Sequence, residues 1–163
     1  RKLFEFLTLD GMQSRLSWRI VLNKRPFFQK AFEKFDAKKI SKFTDDDVDR
    51  LMNDKGIIRN RRKIESVINN AQKFLDTKKE FGSFDSYIWS FTDYNTMTNR
   101  FKNWDEIPST SEESENMSRD LKARGFTFVG PTVCYAFMQT IGMVNDHVVG
   151  CFRRQELKET GLP

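Results

Sequence analysis

His147 and Cys151 stand four residues apart; they are the chain's single histidine and one of its two cysteines, the other being Cys134. Neutral imidazole and thiolate are both good zinc ligands, and one helical turn would set such a pair side by side. Two ligands leave a tetrahedral shell half filled, and a lone H-x-x-x-C more often packs than ligates. Asp10 is the second candidate. It lies three residues after Leu7 and seven after Leu3, so in a continuing helix its carboxylate points the same way as the apolar stripe. A carboxylate so placed is either satisfied locally or functional. The local account reads Asp10-Gly11-Met12-Gln13 as a capping box with Gln13 at N3 and a helix break near Gly11. Spacing alone favours that cap, and a cap residue can still sit at the rim of a pocket. Trp18, eight residues further on, offers a ring that can stack on a flat base while a carboxylate bonds the base edge; the core is the commoner fate of a tryptophan. If both take the functional role, Asp10 and Trp18 line one cleft.

A third set of residues carries charge. Arg59, Arg61, Arg62 and Lys63 follow Gly56-Ile57-Ile58 and open a helix. Helix N-terminal amides beside guanidinium groups suit phosphate, and Gly56 would let a backbone approach closely. The segment resembles a helix-hairpin-helix, a module that grips the DNA backbone without reading sequence. The net charge of +5 favours an anionic partner. The alternative is a solvated basic face, the usual fate of a charge run.

The elements that must position these residues read as helical throughout. Leu3, Phe6 and Leu7 form one apolar stripe, and Leu16, Ile20 and Val21 begin another that runs on to Phe35. Thr44 can cap a helix with Asp47 at N3 and a Phe43–Val48 staple, and Gly56 is a plausible terminator. Ile64, Val67, Ile68, Ala71, Phe74 and Leu75 mark the next helix. The stretch 87–91 is aromatic and open between helix and strand, and 92–108 reads as a long connection. Thr110-Ser111-Glu112-Glu113 resembles a second capping box, for a helix that stops at Gly125. Pro131 suits a first turn, with Cys134, Phe137, Met138 and Ile141 on one face. The fold class is therefore all-α, a single domain over residues 1–163 with room for two helical lobes.

Length and composition bound the class. The 163 residues, 38% of them hydrophobic with sixteen phenylalanines, suffice for a real core. There is no apolar run near membrane-spanning length and no signal-like segment, so no membrane is expected. Two cysteines make no disulfide framework, and a reducing cytoplasm is the simplest setting. Arg1 rather than methionine opens the chain, which suggests that the natural start lies upstream.

Taken together, these segments resemble DNA-3-methyladenine glycosylase I, the Tag family. The resemblance runs from Leu3 to about Phe152. It is carried by L-F-E-F-L-T-L-D-G-M-Q-S-R-L-S-W (3–18), G-I-I-R-N-R-R-K-I (56–64), W-S-F (89–91), E-I-P (106–108) and the long block from Arg124 to Cys151. It implies a helical glycosylase domain of the helix-hairpin-helix type, and hydrolysis of the N-glycosidic bond of 3-methyladenine in double-stranded alkylated DNA, by a monomer. In that reading Asp10 accepts a hydrogen bond from the base edge as the catalytic carboxylate, and Trp18 stacks on the base. Leu16 fills the gap in the duplex, while Gln13 contacts the opposing strand or supports Asp10. Gly56, Arg59, Arg61 and Arg62 hold phosphates. The resemblance also implies a structural zinc with two cysteine and two histidine ligands, of which His147 and Cys151 match the downstream half.

Three departures qualify the match. The family's upstream segment, with the other two zinc ligands and pocket aromatics, is not in this sequence. Aspartate stands at position 10 where the family usually has glutamate, one methylene longer. The family's Gln-Ala-Gly-Leu-Ser-Trp is here Gln13-Ser14-Arg15-Leu16-Ser17-Trp18, and Arg15 either adds a phosphate contact or obstructs the duplex. The departures keep open a catalytically impaired DNA-binding relative. A non-enzymatic interaction scaffold is the other alternative, against which the arginine cluster argues.

Overall fold

The first helix is central: of its residues only Lys2 is exposed. In the computed structural model, which describes residues 1–160, α1 (Lys2–Gln13) buries Phe4, Leu7, Leu9 and Met12 completely or nearly so. Each such side chain contributes about 1.5–3 kcal/mol over its exposed state. α1 is packed by α2 (Trp18–Ala31), α5 (Arg61–Phe81) and α8 (Pro131–Ile141). Glu5 is buried on α1 and is satisfied there, accepting from Arg25 Nε at 2.8 Å and Gln29 Nε2 at 2.9 Å. Burial pushes its carboxyl up, but those bonds and the Arg25 charge outweigh burial and hold it below the usual range.

The remaining helices follow the local signals closely. α3 (Ala37–Ile40) is one short turn capped by Asp36, whose side chain accepts from the Lys38 amide. α4 (Asp45–Asn53) starts with the expected Thr44/Asp47 box. It ends at Asn53, three residues before Gly56, so Gly56 is not its terminator. α5 buries Ile64, Val67, Ala71 and Phe74, with Asn60 as its cap. The aromatic stretch resolves as α6 (Phe84–Trp89) followed by a tight turn of helix at Ser90–Thr92. α7 (Glu112–Ala123) is capped by Ser111 with Ser114 as the reciprocal partner, rather than by Thr110 with Glu113. α8 has Pro131 at its first position and ends at Gly142, whose φ of +86° is left-handed. α9 (Phe152–Thr160) closes the described chain. Both cysteines are free, and among the described residues no helix is long and apolar enough to cross a membrane.

Among the described residues a short two-stranded ladder departs from the all-helical expectation. β1 (Met97–Thr98) pairs in parallel with β2 (Val144–Asn145), Met97 opposite Val144. Two residues per strand are too few to show an alternating pattern. The ladder pins the long connection before α7 against the segment that carries His147.

The break between α1 and α2 decides what the N-terminal candidates can do. It falls after Gln13, not at Gly11, so Asp10 lies inside the helix and caps nothing. Ser14 has φ −42° and ψ 119° and Arg15 has φ +65°, and the Leu16 amide donates to the Gln13 carbonyl at 2.6 Å. This is a type II turn, whose third residue needs positive φ and therefore favours glycine. Arg15 occupies that position at a cost of about 1–2 kcal/mol. Arg15→Gly should raise stability by about 0.5–1 kcal/mol after the extra chain entropy of glycine is subtracted, read as a Tm increase of about 1–4 °C. A lower Tm for the glycine variant would contradict a left-handed position there.

Candidate base pocket and nucleic-acid interface

Asp10 is 1% exposed, and neither of its carboxylate oxygens has a hydrogen-bond partner. Desolvation alone pushes its pKa up to about 8. The group lies near α8, close enough to Cys134 for the two to interact electrostatically, and the Cys134 thiol is itself pushed up to about 12, chiefly by burial. Beside Asp10, Gly11 supports the segment before α8: a Cβ built there would lie 3.7 Å from the Phe128 side chain and backbone. That segment is clasped from α5, where Asn70 donates to the Thr127 carbonyl and accepts from its amide, both at 2.9 Å. The helical reading of Asp10 thus holds and the capping reading does not.

Trp18 opens α2, is half-buried and packs against the core. It and Asp10 flank the 13–16 turn, one on the last turn of α1 and the other on the first of α2. Gln13 folds over the turn, its Nε2 donating to the Leu16 carbonyl at 2.6 Å. Arg15 is exposed and Leu16 half-buried. A lysine from α5 holds the whole turn: the Lys63 ammonium donates to the Met12 and Ser14 carbonyls, both at 2.7 Å.

The basic cluster divides. Arg59 and Arg62 are exposed and make no ion pair among the described residues. Arg61 is exposed but faces acid, bonding Asp49 and lying 3.8 Å from Glu65. Exposed pairs of this kind are worth little and yield readily to a phosphate. Lys63, read in sequence as part of the cluster, is buried and serves the interior. Gly56 has a packing reason for its identity, since a Cβ would meet the Asp54 carboxylate at 2.9 Å and Phe27 at 3.0 Å. Its amide donates to Asp54 Oδ1 at 2.7 Å, and Lys24 Nζ bonds both the Lys55 and Gly56 carbonyls at 3.0 Å. Lys24 therefore ties α2 to the α4–α5 loop.

His147 and Cys151 do lie side by side, with Cys151 Sγ 3.8 Å from His147 Nδ1. A turn after β2 achieves this, the Cys151 amide donating to the Val148 carbonyl at 2.8 Å, rather than a turn of helix. A tetrahedral zinc with ordinary bond lengths places such atoms about 3.6 Å apart, so the pair fits two corners of a site. Among the described residues no cluster of three or more potential ligands exists. The backbone here is well anchored: Arg154 donates to the His147 carbonyl at 2.8 Å, and neighbouring Asp146 accepts from Asn99, Tyr135 and Gln139 at 2.6–2.7 Å.

Sequence reasoning missed the inward role of Lys63, and it missed Asn70 and Asp146. The first two carried a signal. Positions 63, 66, 67 and 70 share helical spacing with the apolar stripe of α5, so polar residues there point inward. Asp146 follows a two-residue strand and carried none.

Comparison with known proteins agrees with this arrangement. The family model for methyladenine glycosylase matches residues 1–154. DNA-3-methyladenine glycosylase 1 of Escherichia coli (strain K12) is 44% identical over 151 residues, 93% of this chain and 81% of that protein. DNA-3-methyladenine glycosylase of Haemophilus influenzae (strain ATCC 51907 / DSM 11121 / KW20 / Rd) is 43% identical over 151 residues, 93% of this chain and 82% of that one. A crystal structure of 3-methyladenine DNA glycosylase I (TAG) has a TM-score of 0.91 at 43% identity, covering 93% of this chain and 84% of its own. On the family match over nearly its whole length and on these relatives, the chain belongs to the methyladenine glycosylase family.

Proposed function

We propose that this protein excises 3-methyladenine from alkylated double-stranded DNA by hydrolysing its N-glycosidic bond, with Asp10 as the base-recognising carboxylate. The single observation that carries the reading is the carboxyl of Asp10, buried without a partner for either oxygen. An extruded base can supply that partner. The 3-methylated nucleoside is cationic on the base, so the base leaves without being protonated. The C1′–N9 bond breaks with its electrons going to N9, which neutralises the base. Water adds to the oxocarbenium-like C1′ and releases its proton to solvent, leaving an abasic site.

In this reading the cationic base favours the ionised form of Asp10. The proton that burial retains on the empty site is given up, and the carboxylate accepts from the exocyclic amine. Trp18 stacks on the base, and Leu16 enters the duplex gap as an apolar wedge. Arg15 and Gln13 meet the DNA beside it, and Gly56, Arg59, Arg61 and Arg62 form a helix-hairpin-helix grip on the phosphates. His147 and Cys151 hold one side of a structural zinc whose other ligands come from outside the described residues. That metal would brace the fold and take no part in the chemistry. The relatives' names, each a 3-methyladenine glycosylase, support the substrate class.

The decisive assay is release of free 3-methyladenine from methylated duplex DNA by the full-length protein. Wild type should release it. Asp10→Asn should do so about 10- to 100-fold more slowly, the worth of one hydrogen bond to a charged group. No release by wild type, or an undiminished rate in Asp10→Asn, would overturn the reading. Replacing Arg59 and Arg62 with alanine should weaken binding about equally for all duplex sequences and make the salt dependence shallower by nearly one counterion per contact. An unchanged salt slope contradicts the phosphate grip. Elemental analysis of the full-length protein should find one zinc per chain, lost in His147→Ala; zinc-free wild type would reduce the pair to packing residues.

A further inference from the structure

α1 ends at the half-buried 13–16 turn without the usual provisions. Its last turn contains no basic residue, and the residue after it, Ser14, is followed by an arginine rather than a glycine in the left-handed position. The last carbonyls of a helix need donors, and a cation there also meets the negative end of the helix dipole. Lys63 supplies both from another helix. Its ammonium bonds the carbonyls of Met12 and Ser14 at 2.7 Å each, bracketing Gln13, and the residue is 7% exposed. Burial, with the nearby Arg15 charge second, lowers its pKa.

The placement of Lys63 along α5 is informative. It lies in the first helical turn, where its own amide is held by the Asn60 cap at 3.2 Å. Arg61 and Arg62, immediately before it, point outward. One turn of α5 therefore presents guanidinium groups to solvent on one side and grips the 13–16 turn on the other. Gln13 passes the constraint on, through its side-chain bond to the Leu16 carbonyl.

We infer that Lys63 is a positioning residue that locks the Gln13–Leu16 turn to the phosphate-facing end of α5, so that docking of α5 on the backbone sets where Leu16 enters the duplex. This rests on the reading above in which Leu16 is the wedge. The ammonium touches no reacting atom. It fixes the register between two DNA-contacting elements, and errors of about 1 Å in such registers can cost about 100-fold in rate.

The test uses full-length protein on a duplex carrying 3-methyladenine next to 2-aminopurine, whose fluorescence reports unstacking. With enzyme in saturating excess, the single-turnover rate constant reads the folded molecules alone. Lys63→Met, of similar length but without donors, should lower that constant and the unstacking rate about 10- to 100-fold. Its Kd for undamaged duplex should stay within about twofold of wild type, because the exposed arginines remain. Lys63→Arg, which keeps charge and donors, should recover part of the rate. If Lys63→Met does not fold at assay temperature, Lys63→Gln, with one amide donor group, takes its place and the same loss is expected. A rate constant within twofold of wild type in the neutral variant overturns the inference. So does a loss of rate matched by an equal loss of undamaged-duplex affinity, or an arginine variant no faster than the neutral one. Inactive wild type would instead refute the glycosylase reading itself.

Discussion

The carboxyl of Asp10 sits in the core with nothing to bond, and the surrounding architecture has to carry that cost. Two other buried carboxylates show how the same chain treats acids that serve only structure. Glu5 has Arg25 and Gln29, and Asp146 has three donors converging on it. Among the described residues, the Asp10 oxygens are the only buried side-chain polar atoms without a partner. The sign of the resulting pH dependence is fixed. Unfolded, the group ionises near 3.8; folded, it keeps its proton up to about 8. The pH-dependent part of the cost is absent below the lower value and grows as pH rises towards the upper one, on the order of 5 kcal/mol in the limit. A fold tolerates such a group when α1 is buried on nearly every side by apolar packing, as it is here.

From that constraint the rest of the site follows. α1 must end where the chain can turn sharply and still satisfy its carbonyls, and the type II turn with the Lys63 ammonium does both. The same turn carries Gln13, Arg15 and Leu16 to one edge and starts α2 at Trp18. α5 then has two duties, to pack its apolar stripe on α1 and to present arginines at its first turn. Lys24, bonding the carbonyls of the α4–α5 loop, adds a second tie between α2 and that loop. Asp10, the Gln13–Leu16 turn and the arginines at the head of α5 are thus joined through one set of contacts.

Much of this was legible in the sequence where the signal is local. The Thr44/Asp47 box, the Pro131 start and the apolar period of α5 each specify an element through neighbours in the chain. The inward direction of Asp10 was legible from its spacing to Leu3 and Leu7. Choosing the cap instead misjudged a real competition, because Asp10-Gly11-Met12-Gln13 has the residues of a capping box but lies within a helix held by tertiary packing. Gly56 illustrates the same limit. Its terminator reading was local, whereas the room for a side chain there is closed by Asp54 and by Phe27, the latter twenty-nine residues away. The β1–β2 ladder, the Lys63 clasp and the Asp146 donor cluster are long-range contacts of short segments, for which no periodic pattern exists to be read. The His147–Cys151 proximity was anticipated, across either a helical turn or a short turn, and a short turn after β2 produces it.

The central claim is that Asp10 is held without a partner so that a base can become one. The most direct measurement is a carboxyl-carbon NMR titration of Asp10 in the free protein and again with saturating 3-methyladenine. The account predicts a midpoint near 8 in the free protein, moved downward by the base because an amine donor favours the carboxylate. A midpoint near 4 in the free protein, or one that does not respond to the base, would contradict it.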